Sequence, residues 1–495
     1  MRLTKISDLT FEYRMALVNS IVFVLFAFLE AAYPPRQLPL VLLPNLLFLF
    51  GSLVIWMQMM RSGWALAPIC WFILGAGLFF GFGVIAGGLH AHPWTEKIYG
   101  NSTQHLLSAN TINSVSVLIV LVIGALFVPS AKTGPHTISL QGNLGQWRRA
   151  FRYLSIFAVA VVLLRLIFFP EAENLVLRSV LGKVYFLLPS VFLLLGIFFR
   201  EFGKTELAIF GAAFALQTIL GMLLFNKYEI LMPSMALMVG IWVSTRSYKL
   251  RLAVLMLPIL IFWVANPLVA MMRLHHQYDA VNDSLSDRVE ILRDTLNASF
   301  VQKRTMLNSK GQTRDSIIVS ERLGTGERVR AIGIRFDVAS VQGFLINEYD
   351  AGRPGNSLTD LFAVFVPRLF WPEKPIITRF GNELSVKYHN DPVQGTSAMA
   401  PTYTGEAYWN MGWFGVFAIS AYLGVCYGLL LRPALAAAQG NNLAYLFIAY
   451  PLLMSAAFVE SWITATYIGG MAMIILYYFA IKVAFSMISR GHQSA

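Results

Sequence analysis

The sequence predicts an all-α polytopic membrane protein of about twelve transmembrane helices, with one large loop outside the membrane between helices 9 and 10. Of its 495 residues, 57% are hydrophobic and only 13% are charged, whereas soluble domains are roughly 25% charged. Apolar runs long enough to cross a bilayer recur along the chain. One long late region, residues 273–411, breaks this apolar pattern with Arg, carboxylates, aromatics, Pro and Gly.

Each apolar run supplies about 20 residues, enough to cross the hydrocarbon core at a rise of roughly 1.5 Å per residue. The predicted spans lie near 14–33, 38–60, 65–87, 111–129, 152–169, 180–199, 206–225, 229–246, 251–272, 412–431, 443–460 and 464–486. The first run follows a charged N-terminal stretch and lacks a small-residue cleavage site, which indicates a signal anchor. Cys70 and Cys426 both fall inside apolar runs, so they indicate neither a disulfide framework nor a metal site.

The charges of the short loops predict the orientation. With the N-terminus in the cytoplasm, the inner segments carry sixteen Lys and Arg residues and the outer ones only five. This bias predicts that both termini are cytoplasmic and that the long loop lies on the outer face. The chain therefore divides into helices 1–9 (1–272), the periplasmic or extracellular loop domain (273–411), and helices 10–12 with a cytoplasmic tail (412–495). The net charge of +12 is explained by the membrane faces, and no nucleic acid is expected.

Within the loop, two helices are predicted from apolar periodicity. The first has one apolar face made of Leu285, Val289, Leu292, Leu296 and Phe300, and the second has a stripe of Ile334, Val338, Val341 and Leu345. Residues 303–328 are polar and rich in turn formers, so they predict a loop. The segment 350–403 is interrupted by Pro and Gly and resists regular assignment.

Cations of the loop are candidates for binding a diphosphate, because guanidinium groups donate two parallel hydrogen bonds and keep their charge. They are Arg335, Arg353, Arg368, Lys374 and Arg379. The alternative is a solvated ion-pair surface, since the loop holds sixteen Lys and Arg residues and sixteen Asp and Glu residues. Arg368 and Lys374 stand in a rigid frame of prolines and aromatics, which suits a preorganised cation.

Arg165 lies inside the fifth predicted span, near its outer end, and Arg178 starts the next span on the same side. Ionisable residues at such depth usually face a cavity or a partner. The two side chains are therefore candidates for a cationic patch under a lipid diphosphate. The alternative is that Arg165 reaches the interface with its charged end.

Five residues are candidates for acid–base chemistry: Glu348, Asp350, His389, Glu406 and Glu460. Glu406 is the strongest of these, because partial burial at the start of the tenth span is expected to raise the pKa of a carboxyl toward useful base strength. The alternatives are that Glu406 pairs with a loop arginine and that His389 is an ordinary polar loop residue.

Metal and cofactor sites are not predicted. Asp279, Asp283 and Asp287 would stack on one helix, but a solvated carboxylate face explains them, and His90 and His92 lack a third ligand. The sequence contains no P-loop, no GxGxxG before a strand, no GxSxG and no HExxH.

Two motifs carry a resemblance to a known family: PRLFWPEKP (367–375), followed by Phe380-Gly381, and GEAYWNMGWFG (405–415). Together with the layout of many spans and one late loop, they resemble the Wzy-type polymerases of O-antigen and exopolysaccharide repeat units. The motifs cover about a tenth of the chain, and the remainder matches only in topology. Arg322 and Gly333 also have the Arg-x10-Gly spacing described for such proteins.

The resemblance implies an inverting glycosyltransferase of the GT-C-like class in the bacterial inner membrane. Undecaprenyl-diphosphate-linked oligosaccharides would be both donor and acceptor, without a cofactor or metal, and membrane lipids and a chain-length-regulating co-polymerase would be further partners. The implied catalytic residues are Glu406 and His389. The implied diphosphate ligands are Arg335, Arg368, Lys374, Arg379, Arg353, Arg165 and Arg178. The implied sugar-stacking residues are Trp371, Tyr408 and Trp409.

Two other functions remain open. An O-antigen ligase shares the spans, the late loop and the arginines. A transporter of lipid-linked sugars is a different class, but transporters place charges near the midplane and tend toward repeated halves.

Overall fold

The computed structural model describes residues 9–32, 38–89, 102–128, 152–153, 156–157, 159–164, 188–201, 203–224, 227–245, 247–278, 285–297, 303–307, 313–317, 336–366, 370–375, 379–389, 399–439 and 442–491. Nearly all of this part is helical. The helices of the first half are α1 Phe11–Ala32, α2 Leu38–Arg61, α3 Pro68–Ala76, α4 Gly83–Leu89, α5 Ser102–Ala125, α6 Leu188–Phe198, α7 Lys204–Leu223, α8 Lys227–Ser244 and α9 Tyr248–Tyr278. A π-helical turn, Gly77–Phe82, joins α3 to α4.

The second half begins with α10 Leu285–Asn297 and the antiparallel strands β1 Lys303–Leu307 and β2 Thr313–Ile317. Then come α11 Ala339–Asp350, a 3-10 helix Phe362–Phe365, α12 Arg379–His389, α13 Tyr403–Ala438, α14 Leu443–Ala457, a second π-helix Ile463–Gly470, and α15 Met471–Gly491.

Apolar helices long enough to cross a membrane dominate the described part of the chain. Seven such segments are Phe11–Ala32, Leu42–Arg61, Pro68–Ala86, Leu106–Ala125, Lys204–Leu223, Tyr403–Ala438 and Ile463–Val483. Three shorter apolar helices are Leu188–Phe198, Glu229–Ser244 and Ala444–Ala457. The chain is therefore a multi-pass helical membrane protein. Residues 154–155, 158 and 165–169 of the predicted span 152–169 lie outside the described residues.

Contacts divide the chain into two compact units, one of Met1–Leu140 with Gly333–Ala495 and the other of Gln141–Ile332. The late loop is thus shared between them. In the first unit, α5 packs against α1, α11 and α13. The hydroxyl of Ser116 on α5 lies 2.7 Å from the Tyr403 hydroxyl and 2.6 Å from that of Ser420.

A pair of buried amides joins α5 to the loop helix α11. Asn113 and Gln342 exchange two hydrogen bonds, each of 2.9 Å, and neither residue is exposed. The Thr404 hydroxyl donates to the Asn113 amide oxygen at 2.7 Å. Buried amides that satisfy each other in this way avoid the cost of unpaired polar groups in an apolar bundle.

In the second unit, α8 packs against α6, α7 and α9. Helix α10 closes an apolar cluster with Ile291, which is buried against the side chains of Ile230, Ala265, Val269 and Met272. The predicted apolar face of α10 is only partly correct. Leu292 does pack on this cluster, but Val289 is 48% exposed, because the helix turns the 291–292 side inward.

The structure of the loop departs from the prediction in two further places. The 303–328 segment contains the β1–β2 hairpin, and the 350–403 segment contains α12. The stripe predicted for α11 is confirmed where it is described, because Val338, Val341 and Leu345 are all buried.

Helix α13 begins nine residues before the predicted span at 412. The Thr402 hydroxyl accepts the backbone N–H of Gly405 and so caps the helix. At Gly412 the backbone takes φ 59° and ψ −146°, a combination that only glycine adopts readily. The resulting kink separates the first turns of α13, which carry Glu406 to Trp409, from the long apolar part.

Candidate functional site

The site is built where three helices of the loop region meet. Side chains of α11, α12 and the first turns of α13 enclose an apolar cluster. Its buried members are Val341, Phe344, Leu345, Leu384 and Trp409. This cluster holds the helix ends at fixed positions, so the charged side chains that they carry are held in place as well.

Two cations share one carboxylate at this junction. Glu348 on α11 is 5% exposed. Its Oε1 accepts hydrogen bonds from Arg353 Nη2 at 2.6 Å and Nε at 3.1 Å. Lys387 Nζ on α12 pairs with the Oε2 atom. The Arg353 and Lys387 side chains remain 57% and 44% exposed. One unit of positive charge therefore remains, and it faces solvent.

The same contacts change the pKa of Glu348. Desolvation of this carboxyl alone would raise its pKa, but the hydrogen bonds and charges of Arg353 and Lys387 outweigh that effect. The pKa of Glu348 consequently lies below its ordinary value. The carboxylate is thus ionised at neutral pH and holds both cations.

Aromatic residues of α13 form the wall beside these charges. The Trp409 indole N–H donates to the Arg353 carbonyl oxygen at 3.3 Å, and the Lys387 ammonium lies 5.7 Å from the Trp409 ring centroid. The Tyr408 hydroxyl donates to Asp350 Oδ1 at 3.0 Å. Asp350 is exposed, so this hydrogen bond orients a carboxylate that faces solvent.

Glu406, the predicted base, has no exposed surface. Its two oxygens accept the Ser357 hydroxyl at 2.7 Å and the Ile463 backbone N–H at 2.5 Å. Asn410 extends this group by donating to the Ser357 hydroxyl at 2.9 Å. The contacts of Glu406 therefore join three segments of the chain. Asp350, in contrast, faces solvent.

Two other predicted site cations, Arg379 and Lys374, lie in the described part of the chain and have local partners. Arg379 pairs with Asp360 at 3.1 Å and with Glu383 at 3.8 Å. Lys374 Nζ donates to the carbonyl oxygens of Ala363 at 3.1 Å and Val366 at 2.8 Å. The structure therefore does not bring these two cations to the Glu348 carboxylate.

The remaining predicted residues divide into two groups. Arg335, Arg368, Arg165 and Arg178 lie outside the described residues. His389 is the last residue of α12, and the structure describes its backbone only. Among the predicted sugar-stacking aromatics, Tyr408 and Trp409 are 9% and 8% exposed and Trp371 is 42% exposed, so Trp371 alone presents a large open surface.

Lys387 was missed from sequence. It stands in the polar run NELSVKYHN. This run is short and flanked by Gly and Pro, so the sequence predicts a loop there. The available signal was its position four residues after Glu383 and one before Tyr388, which is typical of an amphipathic helix. Its convergence with Arg353 depends on tertiary packing.

Metal ligands do not gather in the described part of the chain, where no group of three His, Cys, Asp or Glu side chains could hold an ion. Scans of family models, curated proteins and solved structures find no match to this chain.

Proposed function

We propose that the chain polymerises undecaprenyl-diphosphate-linked oligosaccharide repeat units, on the outer face of a bacterial inner membrane. The growing glycan would move from its lipid diphosphate to the non-reducing end of a new repeat unit. The observation that carries this proposal is the half-exposed pair of cations, Arg353 and Lys387, held by one buried carboxylate. The pair suits a diphosphate, because both cations are preorganised by Glu348 and keep solvent-facing surface.

The proposed chemistry is an inverting displacement. An acceptor hydroxyl oxygen attacks the anomeric carbon as the bond from that carbon to the phosphate oxygen breaks, and the diphosphate leaves with the electron pair. Arg353 keeps its contacts to Glu348 while its exposed N–H groups bind the departing oxygens, and Lys387 adds a second charge. Stabilising charge that develops in the transition state is the most effective role for such groups.

The hydroxyl proton passes to a base within hydrogen-bond reach. We assign that role to Asp350 rather than to the enclosed Glu406, because Asp350 is exposed and the Tyr408 hydroxyl orients it. The resemblance also implies Arg335 and Arg368 as diphosphate ligands, and both lie outside the described residues. The proposal also includes about twelve spans in a GT-C-like arrangement, with cytoplasmic termini and an outer loop.

The deciding experiment is deletion of the coding gene, followed by electrophoresis of surface polysaccharide. Loss of a polymerase collapses the ladder to glycans with a single repeat, and the wild-type gene restores it. If no glycan remains attached, the protein is a ligase instead. An unchanged ladder in the deletion strain would refute both. Purified protein incubated with the lipid-linked repeat unit should give longer lipid-linked products.

A further inference from the structure

Four large aromatic side chains are exposed in the segment that precedes α12. Phe362, Phe365, Phe370 and Trp371 are 80%, 56%, 77% and 42% exposed, respectively; these four residues are called the aromatic edge. Single exposed apolar residues are common on proteins, but four large exposed aromatics within ten residues are a concentration of apolar surface that calls for an occupant. None of the four belongs to the apolar cluster of α11, α12 and α13 or to the Glu348 ion pairs.

The aromatic edge lies beside a membrane-spanning segment and not beyond its end. The 3-10 helix Phe362–Phe365 packs on the second π-helix, and a Cβ placed on Gly469 would lie 2.4 Å from Val364 Cγ1. This glycine is the seventh residue of the apolar segment Ile463–Val483, which is long enough to cross a membrane. Contact with that position places the 3-10 helix level with the start of the span.

Lys374 satisfies backbone carbonyl groups that would be costly to leave unpaired at this location. Carbonyl groups of a short turn lack helical partners, and leaving them unpaired near hydrocarbon is costly. The Lys374 ammonium donates to two of them, those of Ala363 and Val366. A long side chain of this kind keeps its charge toward the polar side while its stem follows an apolar surface.

We propose that the aromatic edge inserts into the lipid interface of the membrane that the chain spans, on the side where Ile463–Val483 begins. Aromatic rings are enriched at that depth, and exposed Phe and Trp on one side of a peripheral segment are typical of interfacial binding. The proposal does not depend on the polymerase function. It assigns Trp371 to lipid instead of to a sugar.

Nitroxide labels provide the test. Phe362→Cys and Phe370→Cys report on the edge, and Glu383→Cys and Ala351→Cys are controls at exposed positions outside it. The two native cysteines are buried, and the unsubstituted protein measures any background labelling. Each full-length variant is placed in nanodiscs of phosphatidylethanolamine and phosphatidylglycerol, and collisions with oxygen and with a water-soluble nickel chelate are compared.

The expected result is a several-fold higher ratio of oxygen to nickel accessibility at positions 362 and 370 than at 351 and 383. Water-like accessibility at both edge positions would overturn the proposal and would return Trp371 to the sugar-stacking role. Labels that neither reagent reaches would also overturn it, because protein would then cover the patch. If either variant does not elute as a single species, Phe365→Cys or Trp371→Cys replaces it.

Discussion

The backbone N–H of Ile463 donates a 2.5 Å hydrogen bond to the Glu406 carboxylate, and both residues are buried. The Ser357 hydroxyl occupies the other oxygen of that carboxylate. One side chain therefore joins the first turn of α13, the start of the second π-helix and the turn that follows α11.

Replacing Glu406 with Ala should destabilise the protein strongly. The change leaves two buried donors unpaired and opens a cavity, at a cost of about 3–5 kcal/mol. Glu406→Gln preserves volume and one acceptor, so it should cost less, and Ser357→Ala removes a single donor. Thermal unfolding of the purified protein in detergent measures all three. A Glu406→Ala variant that melts at the wild-type temperature would contradict this role.

Under the proposed function, Arg353→Ala and Lys387→Ala should each lower the rate of glycan polymerisation by about 10²-fold, because each would remove a charge proposed to stabilise the leaving diphosphate. Arg379→Ala is the matched control, since this exposed arginine pairs with Asp360 and Glu383 away from Glu348. It should retain polymerisation. Ladders in complemented cells, normalised to membrane expression, give the measurement, and equal effects of all three changes would exclude a specific site.

Asp350→Asn should lower kcat by about 10²–10⁴-fold, the range typical for loss of a positioned general base. Substrate binding should change little, because the amide keeps the shape of the side chain. Asp350→Glu is expected to recover part of the rate. The measurement is turnover of the lipid-linked repeat unit by purified protein. Full turnover by Asp350→Asn would reject this residue as the base.

The low pKa of Glu348 predicts a pH-dependent contribution to stability. A carboxyl whose pKa is lower in the folded than in the unfolded chain stabilises the fold above its unfolded value, roughly 4.3, and this stabilisation is lost as the pH falls through the folded pKa. The melting temperature of the wild type should therefore exceed that of Glu348→Gln at pH 7, and the gap should narrow on acidification. A gap that stays constant down to acidic pH would show that the ion pairs contribute nothing.

Gly412→Ala should destabilise the protein by about 1–3 kcal/mol, the usual cost of a side chain held in a sparsely populated backbone region. The new Cβ would also lie 2.8 Å from the Tyr349 hydroxyl oxygen. Gly211→Ala is the control, because this helical glycine has open space around its Cβ position. It should be neutral or stabilising by up to about 1 kcal/mol. Equal melting temperatures for the two variants would contradict the prediction.

The membrane class and the buried stripe of α11 followed from local patterns. Polar side chains and unpaired backbone groups are costly in the hydrocarbon core, so membrane spans are long apolar runs. Such runs can be recognised from composition alone. The spacing of Val338, Val341 and Leu345 is likewise a one-dimensional signal of a helical face. The structure confirms that stripe, because the apolar period of a single helix can be detected in its own sequence.

The partners of the charged residues could not be read in the same way. Glu348 and Arg353 flank the end of a helix, where no regular spacing applies, and Lys387 reaches them only because Leu384 and Trp409 pack α12 against α13. The early start of α13 was hidden by Gly405 and Gly412, which usually interrupt helices. Here one lies in a capped first turn and the other forms a kink.

The reciprocal amide pair between Asn113 and Gln342 has a practical consequence for any study of the loop. It fastens the loop helix α11 to a membrane-spanning helix more than two hundred positions earlier in the chain. An excised fragment covering 273–411 would expose that amide and the apolar surface around it to water. Ligand screening therefore requires the intact protein in a lipid or detergent environment.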